Sequence, residues 1–380
     1  MENIIYEYNE VKNDKLTQHI KNTSALHTFF KLEWKTLKAQ QYCGILNFDK
    51  QDYYILPKIA NHNDEQNLNI FIYMLMYAYD VKLSNEQIAC CKNQEKYTIL
   101  EVFVQMFASG LLNELKKGIY KQYLTQQDNL PVLKGKYLIN ENLKYNFTKN
   151  RIYCEYDEFS PNNELNQFFL YAVKQLQKFV KDKKLLKQCE LIFDEVESQQ
   201  IDINKLNIHF DRLNLRFKTS FEVAILLLKQ SIPLFNQDKK SFAFLFDMNV
   251  LFEKFIARIV KEINHKAQIQ NSYNFNDLLL KPDIILENQI IDTKYKKLKS
   301  IKELKQSDKL QAFAYGVNYN VDKVMLLYPK HLDEIKYNLI LGKEDIKVKL
   351  KIRSIDLNFS GNSYKKYIEE IRKRVEELNG

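Results

Sequence analysis

Residues 281–294 read Lys281-Pro282-Asp283-Ile284-Ile285-Leu286-Glu287-Asn288-Gln289-Ile290-Ile291-Asp292-Thr293-Lys294. Two carboxylates and an ammonium stand there at a spacing suited to phosphodiester chemistry. With Glu287 and Asn288 as a two-residue hairpin loop, Leu286 pairs with Gln289, Ile285 with Ile290 and Ile284 with Ile291. Asp283 then falls opposite Asp292. Opposed residues share a face about 4.5–5.5 Å apart. Lys294, two residues beyond Asp292, points to the same side. Two facing carboxylates repel, and a bound divalent cation removes the conflict. Mg²⁺, or Mn²⁺ in substitution, takes oxygen ligands and keeps several waters. Such an ion polarises a phosphoryl oxygen and lowers the pKa of a bound water. Lys294 would orient that water or stabilise charge on the pentavalent phosphate. The expected metal ligands are Asp283, Asp292 and Glu253. The bland alternative is a strand-end aspartate and two exposed strand positions, because a bare P-D-x(n)-D-x-K match is weak by itself.

The flanking pattern supplies the elements that must position these groups. Asp247 can cap a helix with Val250, Leu251, Phe252, Phe255, Ile256, Ile259 and Val260 as its apolar positions, and Glu253 lies inside it. Two strands follow, over 278–286 and 289–295. A helix over about 302–315 and an apolar strand over 323–328 complete the order helix, hairpin, helix, strand. In that second helix Gln311 and Tyr315 share a face. They either position a metal-bound carboxylate or touch DNA, or else Tyr315 packs and Gln311 is solvated. From Lys294 to Lys309 there are seven lysines and two acids. Lys296, Lys297 and Lys299, with Tyr315, are the candidate DNA contacts; a solvated helix face and loop is the alternative.

Upstream, 40–48 and 52–59 read as strands around the turn Asp49-Lys50-Gln51, and 67–79 and 99–115 read as helices. Trp34 reads as one aromatic in an apolar helix. The extended stretch 130–156, broken by Gly135, Asn140 and Asn150, is expected to close a small sheet or barrel. Ser160-Pro161-Asn162-Asn163 suits a turn and helix start, and helical patterns follow over 165–180 and 221–228. The expected fold is mixed, α+β or α/β. It comprises a β-rich N-terminal partner-docking domain with helices (1–160), then a helical region leading into a catalytic domain (161–380, core about 240–330).

A chain of 380 residues suits two domains, and 45% hydrophobic with 28% charged residues is a globular composition. The net charge of +9 favours an anionic partner. Cys43, Cys90, Cys91, Cys154 and Cys189 form no C-x-x-C pair, which argues against structural zinc and a disulfide framework. The start, MENIIYEYNE, has no basic-then-apolar leader pattern. The most apolar helical stretch, 68–79, is interrupted by Asn69 and is too short to span a bilayer. A cytoplasmic location without membrane contact is expected. The six histidines are scattered without ligand spacing. With no Walker A motif, GxGxxG or nucleophile elbow, the chain is not expected to bind or hydrolyse a nucleotide itself.

Three runs carry a family resemblance: Met248-Asn249-Val250-Leu251-Phe252-Glu253, Lys281-Pro282-Asp283, and Asp292-Thr293-Lys294-Tyr295-Lys296. They resemble McrC, the nuclease subunit of McrBC modification-dependent restriction systems, in the PD-(D/E)xK superfamily. Gly44-Ile45, Ile55-Leu56-Pro57-Lys58-Ile59, residues 118–123, Leu130-Pro131-Val132-Leu133-Lys134-Gly135-Lys136, Tyr156-Asp157-Glu158 and Leu165-Asn166 extend the resemblance over roughly 40–330. It implies a C-terminal restriction-endonuclease-like domain, with Asp283, Asp292 and Lys294 at the family's catalytic positions. Glu253 and Gln311 match less closely. It further implies a Mg²⁺-dependent DNA endonuclease of anti-phage defence that acts with McrB, a hexameric AAA+ GTPase. The N-terminal domain would enter that ring's pore and stimulate hydrolysis. The partner would carry DNA recognition, often of methylated cytosine. Lys134 and Lys136 replace a mostly arginine motif. Cutting both strands would call for two nuclease domains to dimerise. Two other classes stand beside this one: a non-catalytic activator or bridging module of the motor, and a stand-alone repair or junction nuclease. The intact acid-acid-lysine set argues against the first, and the 160 preceding residues against the second.

Overall fold

Two continuous buried runs, 43–46 and 53–56, build the N-terminal hairpin. The computed structural model describes residues 3–34, 36–49, 51–61, 63–80, 99–148, 150–236, 239–343 and 346–379; Cys90 and Cys91 lie outside them. The elements to residue 78 are β1 (Ile4–Tyr6), α1 (Asp14–Asn22), β2 (Phe30–Glu33), β3 (Thr36–Ala39), β4 (Tyr42–Phe48), β5 (Gln51–Leu56) and α2 (Asp64–Ala78). β4 and β5 pair antiparallel from Gly44↔Ile55 to Phe48↔Gln51, around the turn expected at Asp49. β1 lies parallel to β5. Asn13 caps α1 by accepting from the Leu16 amide, and Leu16 and Ile20 enter a core with Leu37, Leu46 and Ile55. Trp34 is not helical: it sits between paired strands β2 and β3, 95% exposed. α2 is buried nearly all round, which explains its unbroken apolar run. Its buried Asn67 is satisfied, accepting from the Ala60 amide and donating to the Asn61 carbonyl. No helix of the described residues is long and apolar enough to cross a membrane.

Residues 100–229 form a unit of their own. It holds α3 (Ile99–Leu115), β6 (Gln122–Leu130), β7 (Lys136–Tyr137), α4 (Ile139–Tyr145), β8 (Ile152–Ser160), α5 (Glu164–Leu176), α6 (Lys184–Ile192) and α7 (Lys218–Gln230). β6 and β8 pair antiparallel over nine positions, Gln122↔Ser160 to Leu130↔Ile152, with β7 on the other side of β8. These strands make a separate three-stranded sheet and do not close onto β4 and β5. The boundary expected near residue 160 therefore moves. That point lies inside this unit because Asn163 and Asn166 both donate to the Tyr120 and Pro161 carbonyls, tying the start of α5 to the strand region.

The other unit joins residues 1–99 to 230–380. Its later elements are β9 (Ser231–Asn236), β10 (Lys239–Asp247), α8 (Met248–Ile263), β11 (Gln268–Ile269), β12 (Tyr273–Phe275), β13 (Leu278–Leu280), β14 (Ile284–Leu286), β15 (Gln289–Thr293), α9 (Gln306–Asn318), β16 (Lys323–Pro329), β17 (Lys336–Lys343), β18 (Ile346–Ile355) and α10 (Tyr364–Asn379). β10 adds to β4, giving a sheet of order β1-β5-β4-β10-β9. Gly44 permits this: its φ is +147° and a Cβ would overlap the Phe244 carbonyl oxygen. A second, mixed sheet runs β11-β14-β15-β16-β18-β17, with β15, β16 and β18 parallel. α9 covers one face, placing Ala312 and Tyr315 against a core with Val324, Leu326, Leu350 and Ile352.

Candidate active site

The hairpin forms in the expected register, Leu286↔Gln289, Ile285↔Ile290 and Ile284↔Ile291. Asp283 precedes β14 and its Oδ2 accepts from both the Thr293 amide and the Thr293 hydroxyl, each at 2.7 Å. That lock on Asp283 comes from the residue between Asp292 and Lys294. Asp292 is 3% exposed, and Lys294 Nζ lies 2.5 Å from its Oδ2. Burial, then the charge of Asp283, push the Asp292 carboxyl up to about 6 despite Lys294. Glu253, on α8, is also pushed up, by burial first and then by Asp283, while Gln270 donates to its Oε1. Burial opposes charge on Lys294, but Asp292, Asp308 and Asp283 outweigh it and hold the ammonium above its ordinary pKa. Asp283 thus stands between two carboxylates, with one lysine on the far side.

A chain of hydrogen bonds braces that lysine. Lys294 Nζ donates to Gln311 Oε1 at 3.1 Å, Gln311 Nε2 to the Tyr315 hydroxyl at 2.8 Å, and Tyr315 to the Lys281 carbonyl at 3.1 Å. Gln311 therefore meets the cluster. Tyr315, a candidate DNA contact, is 2% exposed and packed between α9 and the sheet. Lys296 is half-buried and paired with Asp308 at 2.6 Å, so it is committed within the fold. Lys297, over the Tyr8 ring, and Lys299 remain exposed.

The family described as the McrBC 5-methylcytosine restriction system component matches residues 37–329. The chain belongs to this family. Its fold is similar to that of a chain in the refined half-complex from the tetradecameric assembly of Thermococcus gammatolerans McrB AAA+ hexamers with bound McrC. There the TM-score is 0.61 at 20% identity, covering 99% of each chain. A chain in the Thermococcus gammatolerans McrBC complex is similar at TM-score 0.51 and 22% identity, covering 84% of this chain and 99% of that one. None of the curated proteins matches in sequence.

The donor set of this McrBC-family chain decides which metal would fit. Among the described residues, no three His, Cys, Asp or Glu side chains are arranged as a ready-made metal cage. Zinc would need such a closed set. Mg²⁺ does not, because it is held by one or two carboxylates with waters and substrate phosphate oxygens. Asp283 with Asp292 and Glu253 supplies only oxygens, and Glu253 and Asp292 are raised by burial first and then by the charge of Asp283.

That shift has a stability consequence. The value of Asp292 near 6 exceeds its ordinary 3.8. Between these values the folded chain holds more protons than the unfolded one, so this group's contribution falls as pH rises from 3.8 to about 6. Two units correspond to about 3 kcal/mol. In metal-free buffer, Asp292→Asn should gain stability over the wild type by up to that amount at pH 7 and by little at pH 4, in urea melts. An equal difference at both values would show that Asp292 is not strained.

Sequence reasoning missed a polar cluster behind Lys294. Tyr295 donates to Glu7 Oε1 at 2.9 Å, and His331 Nε2 lies 3.0 Å from the same oxygen. Tyr295 and Glu7 are 2% and 3% exposed. Glu7 follows β1, so this contact ties the N-terminal sheet to the strand end that bears Lys294. Tyr295→Phe should cost about 1–3 kcal/mol in chemical denaturation, because it leaves a buried carboxylate short of a donor. A loss below about 0.5 kcal/mol, the usual surface range, would show the cluster to be slack.

Proposed function

We propose that this chain is the Mg²⁺-dependent DNA endonuclease subunit of an McrBC-type restriction system. It cleaves phosphodiester bonds when assembled with an McrB-like AAA+ GTPase and stimulates that GTPase. The observation that carries the reading is the convergence of Asp283, Asp292 and Lys294 on one hairpin, with Glu253 from α8 beside Asp283.

Asp283 would hold the cation together with Asp292 or Glu253, as one or two carboxylates suffice for Mg²⁺. When bound, it supplies Lewis acidity and a nucleophilic hydroxide. The chain's own groups do the rest. Thr293 fixes one oxygen of Asp283, leaving its carboxylate in a single orientation. Lys294, charged and braced by Gln311, is poised to donate to the phosphate oxygen on which charge develops. Recognition of the modified base belongs to the partner in this reading, and cutting both strands calls for two copies of the chain.

The test is reconstitution. The chain, an McrB-type partner, GTP, Mg²⁺ and methylated DNA should together give double-strand cleavage, and a chelator should abolish it. The chain alone should neither cut efficiently nor hydrolyse GTP. Stimulation of the GTPase without any cutting would favour a non-catalytic activator. Efficient sequence-specific cutting by the chain alone would favour a stand-alone nuclease.

A further inference from the structure

β18 carries a row of cations that the cutting cluster does not use. Lys347, Lys349, Lys351 and Arg353 occupy every second position, while Val348, Leu350 and Ile352 between them are buried in the core. The register sets Lys323 of β16 beside Lys349, and Lys336 of β17 beside Arg353. Like charges directly opposed destabilise a sheet. Among the described residues, no carboxylate forms an ion pair with Lys323, Lys336, Lys347, Lys349 or Lys351. Arg353 is partly committed, donating to the Tyr337 carbonyl and Asn338 Oδ1. Lysines often guard an edge strand against aggregation. Here the edge strand is β17, whose central Ile340 is 69% exposed, while the row lies on interior β18. Edge protection does not account for it.

We propose that this face binds the backbone of duplex DNA independently of sequence. Alternate residues of a strand are about 6.7 Å apart. Each DNA strand carries a phosphate charge per about 3.4 Å of axis, so the row faces a dense and evenly distributed negative charge. Four such positions make a straight line of charge about 20 Å long, which suits a stiff, evenly charged polymer. The surface is separate from the cutting cluster. Asp292 aligns with Leu326 and Ile352 on the α9 face, and the row lies on the opposite face, where α8 packs on β15 and α10 on β18 and where Lys347 and Lys349 stay exposed while Lys351 and Arg353 are half-buried. It would hold DNA beside the nuclease unit and leave the choice of site to other contacts. The choice of DNA as the polyanion rests on the endonuclease reading above.

The experiment measures binding of the full chain to an unmodified duplex by fluorescence anisotropy, in chelator, across a salt series. Without divalent metal no cutting is involved, so a failure here is distinct from a failure of the nuclease assignment. Lys347→Gln/Lys349→Gln/Lys351→Gln should reduce the salt slope by about 2.7, at roughly 0.9 per phosphate contact, and weaken binding at least about tenfold near 0.1 M salt. Lys181→Gln/Lys183→Gln/Lys184→Gln, which removes equal charge from the other unit, should leave the slope unchanged. Equal effects from the two triples would overturn the proposal, as would displacement by polyglutamate matching that by DNA, which would point to an acidic protein. In the unsubstituted chain, DNA should protect Lys347, Lys349 and Lys351 from acetylation. Full labelling of all three in the presence of DNA would overturn it irrespective of how the variants fold.

Discussion

Asp292→Ala should abolish DNA cleavage by the assembled complex, with a loss of at least roughly 10³-fold, the scale on which removing a central catalytic group acts. The carboxylate is 3% exposed, lies 2.5 Å from Lys294 and shares its charge environment with Asp283. No other group can supply that oxygen from β15, since the adjacent Thr293 is engaged with Asp283. Stimulation of the partner's GTPase should persist, because the substitution adds no bulk and relieves repulsion within the fold. Parallel cleavage and GTPase assays on one preparation check both halves. Residual cutting within tenfold of wild type would sink the assignment. Loss of both activities together would mean that Asp292 matters for assembly.

Lys294→Gln should lower cleavage by about 10²–10³, the usual loss on removing one donor to developing charge. It should also move the acid limb of the pH–rate profile upward. Lys294 is the cation that opposes the upward push on Asp292 from burial and Asp283. Without it, Asp292 ionises at higher pH and the active form appears later. A single-turnover pH series separates the two effects. An unshifted limb with lowered rate would leave Lys294 acting on substrate alone. A rate within a few-fold of wild type would remove it from the site.

Much of this site was legible because its geometry is local. A two-residue loop fixes hairpin register, so the convergence of Asp283 and Asp292 follows from counting residues. Asp247 caps α8 as its type and position suggest, and Glu253 follows on that helix. The DNA-contact candidates fared differently. Lys296, Lys297 and Lys299 look alike in the sequence, yet Asp308, twelve residues beyond Lys296, takes that one alone. Tyr315 is buried because α9 packs on the sheet, a matter decided by β16 and β18. The alternation from Lys347 to Arg353 is a period-two strand signal. Its use as a charged face became visible only when the sheet order put β18 inside the edge.

The sequence by itself determined the hairpin, its acid-acid-lysine set, the neighbouring helices and the family resemblance, because these depend on contacts within a few dozen residues. Only the tertiary structure decided the division of the chain. β10 pairs with β4 across roughly two hundred residues, so 1–99 belongs with 230–380, while 100–229 forms a second unit. Backbone pairing carries no residue code that marks so distant a partner. The same holds for Glu7 beneath Tyr295, and for the burial and neighbouring charge that raise Asp292, which belong to the packed fold.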